Sequence, residues 1–247
     1  MVLALYNKKN KIMNTKTFDY KRVYVWQLPV RFFHWINVLT LTVLTISGFV
    51  IAYPPAIFSS AEASGSFWFG YVRMTHFIVA FIFMANLFFR WYWAFVGNEF
   101  ASVKNLVPYN KNRWKNVFYV FKVDVLLMRD KEECLNNISV GHNTVAGLSY
   151  FGLMVLLFTQ IFTGMALYAP TSAWFLPHMF EWVTSLFGGE YVVRYVHHFT
   201  TWLVIVFSII HMYLVFFHDY IEGRGESSAM ISGFKFVLKQ RVKEKKE

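Results

Sequence analysis

The chain has a single cysteine, Cys134, in 247 residues. That excludes an intramolecular disulfide framework, a thiolate-ligated metal or iron-sulfur cluster, and a covalently attached haem, all of which need paired or motif-spaced cysteines. Charge is also scarce, at 15% of residues, with 14 acidic against 24 basic side chains. No internal repeat, glycine-rich phosphate loop or serine nucleophile motif is visible. The opening MVLALYNKKNKIMNTK has an apolar run too short for a signal peptide, followed by lysines rather than preceded by them. What is abundant is apolar: 56% hydrophobic residues, including 28 Phe, 14 Tyr and 9 Trp. One globular core cannot bury so many rings, whereas a bilayer solvates apolar side chains and its interfaces favour Trp and Tyr. The net charge of +10 comes from residues flanking apolar stretches instead of a basic stripe, so nucleic acid is not the expected partner.

Four stretches reach the roughly 20 apolar residues needed to cross a hydrocarbon core about 30 Å thick. They run from about Phe32 to Tyr53, Met74 to Gly97, Thr144 to Tyr168 and Tyr195 to Phe217. Seven Lys and Arg precede the first span, seven lie between Lys104 and Lys131, and seven follow the fourth span. None lies between Arg31 and Arg73, or between Lys131 and Arg194. The positive-inside rule then puts both termini and the central loop in the cytoplasm. The expected fold is an all-α integral membrane protein, a four-transmembrane-helix bundle. Its parts are a basic cytoplasmic segment over 1–31, the transmembrane domain over 32–218 and a basic cytoplasmic tail over 219–247, solvated or facing lipid phosphates. Trp114 to Met128 and Trp174 to Phe187 mix apolar and polar residues and read as interfacial helices, the second on the outer face where lipid or a partner would cover it.

Ionisable groups at membrane depth are costly and default to function. Four of the eight histidines form a set. His34 lies just inside the first span and His76 just inside the second, while His197 and His211 share the fourth, fourteen residues apart. Fourteen residues return to within about 40° of the same helix face and climb about 21 Å. The alternating direction of the spans puts His34 level with His211 near the inner surface, and His76 level with His197 near the outer one. Two level-matched imidazole pairs are what two six-coordinate haems require, and without Cys-x-x-Cys-His these would be non-covalent, b-type haems. His198 fits the face shared with His211 less well than His197. His218 falls at the membrane edge beside Asp219, and His178 lies in an outer loop without a paired ligand.

Arg31, Arg73 and Arg194 each stand three residues before a histidine of the set. Random placement of nine Arg and eight His gives about 0.3 such pairs. Residues at i and i+3 share a helix face, and a guanidinium at the interface end of a helix pairs bidentately with a haem propionate. Interfacial snorkelling is the alternative for each arginine. Arg90, fourteen residues after His76, is a fourth candidate, placed for propionates of the inner haem. Gly48 and Gly164 fall near the outer level and Gly147 near the inner, where small residues admit a flat macrocycle, although helix packing accounts for them equally well.

These residues sit in recognisable segments. VWQLPVRFFHWINVLTLTVLTISGFVI with its Pro-Val-Arg-x-x-His-Trp, the GHN opening of the third span, and RYVHHFTTW followed by IIHMY together resemble the cytochrome b subunit of membrane-bound nickel-iron hydrogenases. The resemblance extends from Tyr24 to Tyr220. The gamma subunit of respiratory formate dehydrogenases is a related four-helix dihaem protein, less similar in length and in the Pro-Val-Arg segment. The resemblance implies a multi-pass protein of the bacterial inner membrane in which His34 and His211 hold the cytoplasmic-side haem and His76 and His197 the periplasmic-side one. It implies periplasmic partners, an iron-sulfur small subunit and a nickel-iron large subunit, with quinone as electron acceptor near Asn143, His142 and Tyr213. The chain itself would be an electron-transfer, quinone-reducing subunit, since it has no cysteine set for splitting hydrogen. The alternatives are a dihaem subunit of a formate or thiosulfate dehydrogenase, or a non-redox anchor or transporter whose histidines relay protons.

Overall fold

The computed structural model describes residues 20–55, 67–102, 144–222 and 225–238. Its order is strand β1 (Tyr20–Tyr24), α1 (Leu28–Ala52), α2 (Trp68–Val96), α3 (Thr144–Tyr168), a short 3-10 turn (Ala169–Thr171), α4 (Phe175–His178), α5 (Glu181–Phe187), α6 (Glu190–Glu222), α7 (Glu226–Ser232) and strand β2 (Phe234–Leu238). Among the described residues four helices, lying in α1, α2, α3 and α6, are long and apolar enough to cross a membrane. In lipid every backbone polar group must be satisfied within its own segment, which a continuous helix does. The hydroxyls follow the same logic: Thr40, Thr42, Ser47, Thr159, Thr163, Thr201 and Ser208 each donate to the carbonyl four residues back. Polar oxygens therefore sit in apolar helices without an unpaired hydrogen.

The third helix matches its expected window of Thr144 to Tyr168, α1 and α2 start earlier than expected and stop one residue short of Tyr53 and Gly97, and α6 extends beyond its window at both ends. Pro29 opens α1, Trp68 opens α2 six residues before Met74, and α6 runs to Glu222. Hydrocarbon thickness sets only the apolar length; the helix continues wherever its flanks keep hydrogen-bonding in the interface. The expected Trp174–Phe187 helix is two short ones, α4 and α5, with the Trp114–Met128 segment outside the described residues.

Backbones approach most closely within two antiparallel pairs, α1 with α2 and α3 with α6. The pairs meet through side chains: Phe83 and Leu87 of α2, Leu157, Ile161 and Met165 of α3, and Val204 of α6 form one buried cluster. Val204 lies midway between His197 and His211, so this apolar layer fills the middle of the bundle. Outward positions such as Leu39, Ile46, Phe89 and Ile209 are exposed and apolar, a surface suited to lipid.

One end of the bundle carries the first and last described residues, Tyr20 and Leu238. There β1 pairs antiparallel with β2, Tyr20 opposite Leu238 and Tyr24 opposite Phe234. Val25 and Trp26 backbone N–H groups both donate to the Gly233 carbonyl, at 2.9 and 3.1 Å. Gly233 has φ +86°, a left-handed conformation glycine adopts without strain. Trp26 and Val30 pack on Ala101 and Ala229 beneath the sheet. Gln27 Oε1 accepts from Trp93 Nε1 and from the Asn98 backbone. Lys235, 5% exposed, pairs with Glu226 at 2.5 Å. Parts of both basic flanking segments are thus folded against each other rather than free. The opposite end carries α4 and α5, and we call these the terminal end and the loop end.

Candidate functional site

Chain direction puts His34, early in α1, and His211, late in α6, at the terminal end. Their rings are 6.5 Å apart between centres, inclined by 57°. Two imidazoles bonded through nitrogen at about 2 Å to one metal ion from opposite sides hold their ring centres roughly 6–6.5 Å apart. His211 stacks on Phe207 at 5.8 Å and 7°, and Tyr150 of α3 meets it edge-on at 6.0 Å. His34 stands edge-on to Trp35, and its Nδ1 is buried without a hydrogen-bond partner.

Two arginines end near this level with orphaned donors: Arg31 Nε and Arg90 Nη1 are buried without a partner among the described residues. A buried guanidinium N–H left unpaired is costly unless a ligand takes it, and an anionic oxygen is its natural acceptor. Arg31 is not wholly free, because its Nη1 donates to the Ile231 carbonyl of α7. Trp35 Nε1 makes the same kind of bond to the Met230 carbonyl at 3.1 Å, so the terminal cap is fastened to the start of α1. Asn86 of α2, 5% exposed, bridges to α1 by donating to the Phe33 carbonyl at 3.0 Å and to Asn37 Oδ1 at 2.6 Å.

His76, early in α2, and His197, early in α6, occupy the loop end and line one cavity of about 800 Å³. That volume lies within the roughly 300–1,000 Å³ of small-molecule and cofactor sites. Arg73 and Arg194 also border it. Arg73 lies over the Phe77 ring at 5.8 Å. His198 reaches the same cavity but is the more exposed of the two adjacent histidines.

Both loop-end rings are fixed in the same way. Ser47 Oγ lies 2.8 Å from His76 Nδ1, and Thr163 Oγ1 lies 2.8 Å from His197 Nδ1. Each hydroxyl gives its hydrogen to a helix carbonyl, Val43 and Thr159 respectively, at 2.6 Å. Its lone pair therefore accepts from Nδ1–H, which assigns the tautomer and leaves Nε2 as the ring's lone-pair nitrogen. The next residue in each helix is glycine, with a built Cβ falling 3.4 Å from His76 Cε1 at Gly48 and 3.2 Å from His197 Cε1 at Gly164. Gln160 adds a brace by donating to the His197 carbonyl at 2.9 Å and to Thr201 Oγ1 at 2.7 Å.

The structure thus brings together His34 with His211, and His76 with His197, Arg73 and Arg194. Tyr213 is not brought in: it is 56% exposed on the outward side of α6, stacked on Phe217. His142 and Asn143, and the side chain of His218, lie outside what is described. Sequence reasoning missed Ser47, Thr163, Gln160 and Tyr150. A signal for the first two was present, a hydroxyl residue directly before each glycine at the outer level.

The family model described as prokaryotic cytochrome b561 matches residues 25–233. Its limits coincide with the backbone bond between Val25 and Gly233. The chain is 34% identical over 220 residues to a protein of Cupriavidus necator named probable Ni/Fe-hydrogenase B-type cytochrome subunit, covering 87% of each. A protein of the same name from Rhodobacter capsulatus is 32% identical, with 89% of this chain and 84% of the relative covered. The probable Ni/Fe-hydrogenase 1 B-type cytochrome subunit of Escherichia coli K12 is also 32% identical, with 86% and 90% covered. With that match spanning all four membrane helices and both histidine levels, the chain belongs to the prokaryotic cytochrome b561 family.

Proposed function

We propose that this protein is the dihaem membrane subunit of a nickel-iron hydrogenase, carrying electrons across the bacterial inner membrane to quinone. The observation that carries the reading is the paired histidines at two levels of one bundle, the terminal-end rings at a spacing suited to one metal between them. Three features of these residues fit haem. The loop-end cavity has room for a cofactor, glycines rather than larger residues face the two loop-end rings, and Arg31 and Arg90 hold buried donors without acceptors.

In this reading His34 and His211 hold one haem and His76 and His197 the other. Arg31 and Arg90 meet propionates at the terminal end, and Arg73 and Arg194 at the loop end. Each haem, when bound, supplies an iron that takes up and gives back one electron. The protein's own work is to hold the two sites about 21 Å apart along α6 and to exclude water between them with the Phe83, Leu157, Ile161 and Val204 layer.

The names of the relatives support a hydrogenase as partner, with its iron-sulfur small subunit and nickel-iron large subunit on the periplasmic side. The distribution of Lys and Arg supports cytoplasmic termini, which makes the loop end periplasmic and the terminal end cytoplasmic. Quinone then reacts at the terminal end, where His142 and Asn143 directly precede α3.

The test is spectroscopic. Purified protein should show a b-type spectrum with two haems per chain, and His34→Ala, His76→Ala, His197→Ala and His211→Ala should each lose or perturb one. Unchanged haem content in all four variants would sink the ligand assignment. In membranes containing the whole complex, hydrogen as sole reductant should reduce both haems and the quinone pool. Reduction by formate or thiosulfate alone would transfer the chain to another dehydrogenase.

A further inference from the structure

We propose that Ser47 and Thr163 are positioning residues that lower the reduction potential of the loop-end haem. The inference rests on the haem reading above and goes beyond it, because neither residue touches iron or macrocycle in that scheme. The two hydroxyls do the same thing from equivalent places. One lies on the first helix of each antiparallel pair, directly before a glycine, and reaches the histidine on the second helix at 2.8 Å. Each is held by its own helix, so neither is free to rotate and donate toward the ring.

Accepting from Nδ1–H has two consequences. It orients the ring, and it makes Nε2 a more basic donor, which stabilises the oxidised state of a bound metal. Both ligands of the loop-end site receive this support. At the terminal end His34 Nδ1 is buried without a hydrogen-bond partner among the described residues, so its ring lacks this support there. The asymmetry biases the loop-end site toward the lower potential and the terminal-end site toward the higher. An electron delivered at the loop end therefore runs downhill along α6.

The experiment is an optical redox titration of the purified chain with its haems, comparing wild type with Ser47→Ala, Thr163→Val, the double variant and Thr163→Ser. Removing one hydroxyl should raise the midpoint of one haem while leaving the other in place. The expected shift is about tenfold in the reduced-to-oxidised ratio at fixed potential, the low end of outer-shell effects at metal sites, or about 59 mV for one electron. The double variant should shift further, and Thr163→Ser should restore the wild-type value.

Two haems with unchanged midpoints in the double variant would overturn the inference and leave the haem reading standing. Wild-type protein without a b-type spectrum would overturn both. Loss of a haem in Thr163→Val with retention in Thr163→Ser supports the role through ring orientation, whereas loss in both would refute it, because packing and not the hydroxyl would then hold the ring.

Discussion

Adding one methyl group at Gly164 and at Gly48 should move the protein in opposite directions. A Cβ at Gly164 would stand 3.2 Å from His197 Cε1, tighter than ordinary carbon contacts of about 3.5–4.0 Å. The ring has little freedom to retreat, because Nδ1 is tied to Thr163, the neighbouring residue of the same helix, and Gln160 braces the His197 carbonyl. Relief means stretching that bond or spreading α3 from α6, an overpacking cost of about 1–3 kcal/mol. Against it stands the gain of about 0.5–1 kcal/mol for alanine over glycine inside a helix. At Gly48 the corresponding distance is 3.4 Å, an ordinary contact, so only the helix gain remains. Gly48→Ala should match or exceed wild type in thermal stability and keep both haems. Gly164→Ala should melt lower, at about 2–4 °C per kcal/mol for a chain of this size, with the altered spectrum confined to one haem. Thermal melts followed at the haem absorbance read both quantities. Equal shifts for the two variants, or a lower melting point for Gly48→Ala, would refute the cradle geometry.

Further expectations concern the two ends of the bundle. His178, exposed in the loop-end segment, faces Glu181 Oε1 at 2.6 Å and the Ser172 carbonyl at 3.0 Å, two acceptors that together demand a protonated ring. The bond to Glu181 first, then that to Ser172, raises its pKa above the ordinary histidine value. The clasp is therefore complete below that ordinary value and is lost as pH rises through the raised one, so amide protection over 172–187, after correction for the intrinsic base-catalysed rate, should fall as pH rises above the ordinary histidine value. His178→Gln should abolish that dependence, and an unchanged pH profile in the variant would count against the clasp. At the terminal end, Gly233→Ala combines a left-handed penalty of about 1–2 kcal/mol with a Cβ 2.6 Å from Tyr24 Cε2 and 2.8 Å from the Trp26 carbonyl. Amide exchange should rise in residues 20–26 and 229–238, whereas Gly188→Ala, with φ +79° and nothing within 4 Å, should disturb its own turn far less.

The spans and the histidine levels were legible because each depends on one repeating quantity, apolar length for the first and helical rise for the second. The terminal sheet was not, since β1 and β2 are five residues each and stand some two hundred residues apart in the chain. Lys235 belongs to the tail that read as solvated, yet it lies in that sheet. Lys235 is buried there against Glu226 and lies over the Trp26 ring at 5.5 Å. Arg31 shows the limit from the other side. Its spacing to His34 pointed to a cofactor, and its Nε remains unpaired, but Nη1 is committed to the Ile231 carbonyl, a partner no local pattern announces. Asn37 and Asn86 were equally silent, because a polar pair inside two apolar helices becomes informative only when the two meet.

That bond from Arg31 ties the two halves of the molecule together in a way the histidine pairs alone do not. His34 sits three residues along α1 from Arg31 and one from Trp35, and both of those neighbours donate to carbonyls at the end of α7. The α7 helix is in turn held by Asp219, which accepts from the Glu226 backbone at 2.7 Å and from Ser227 Oγ at 2.5 Å. Asp219 is on α6, eight residues beyond His211. The ring on α1 and the ring on α6 are therefore joined by a short chain of bonds outside the membrane helices, running through α7. At the loop end the equivalent registration comes from inside, through a hydroxyl from the neighbouring helix to each ring. Terminal-end geometry thus depends on the folded cap, and loosening the cap should be felt first at the His34 and His211 pair.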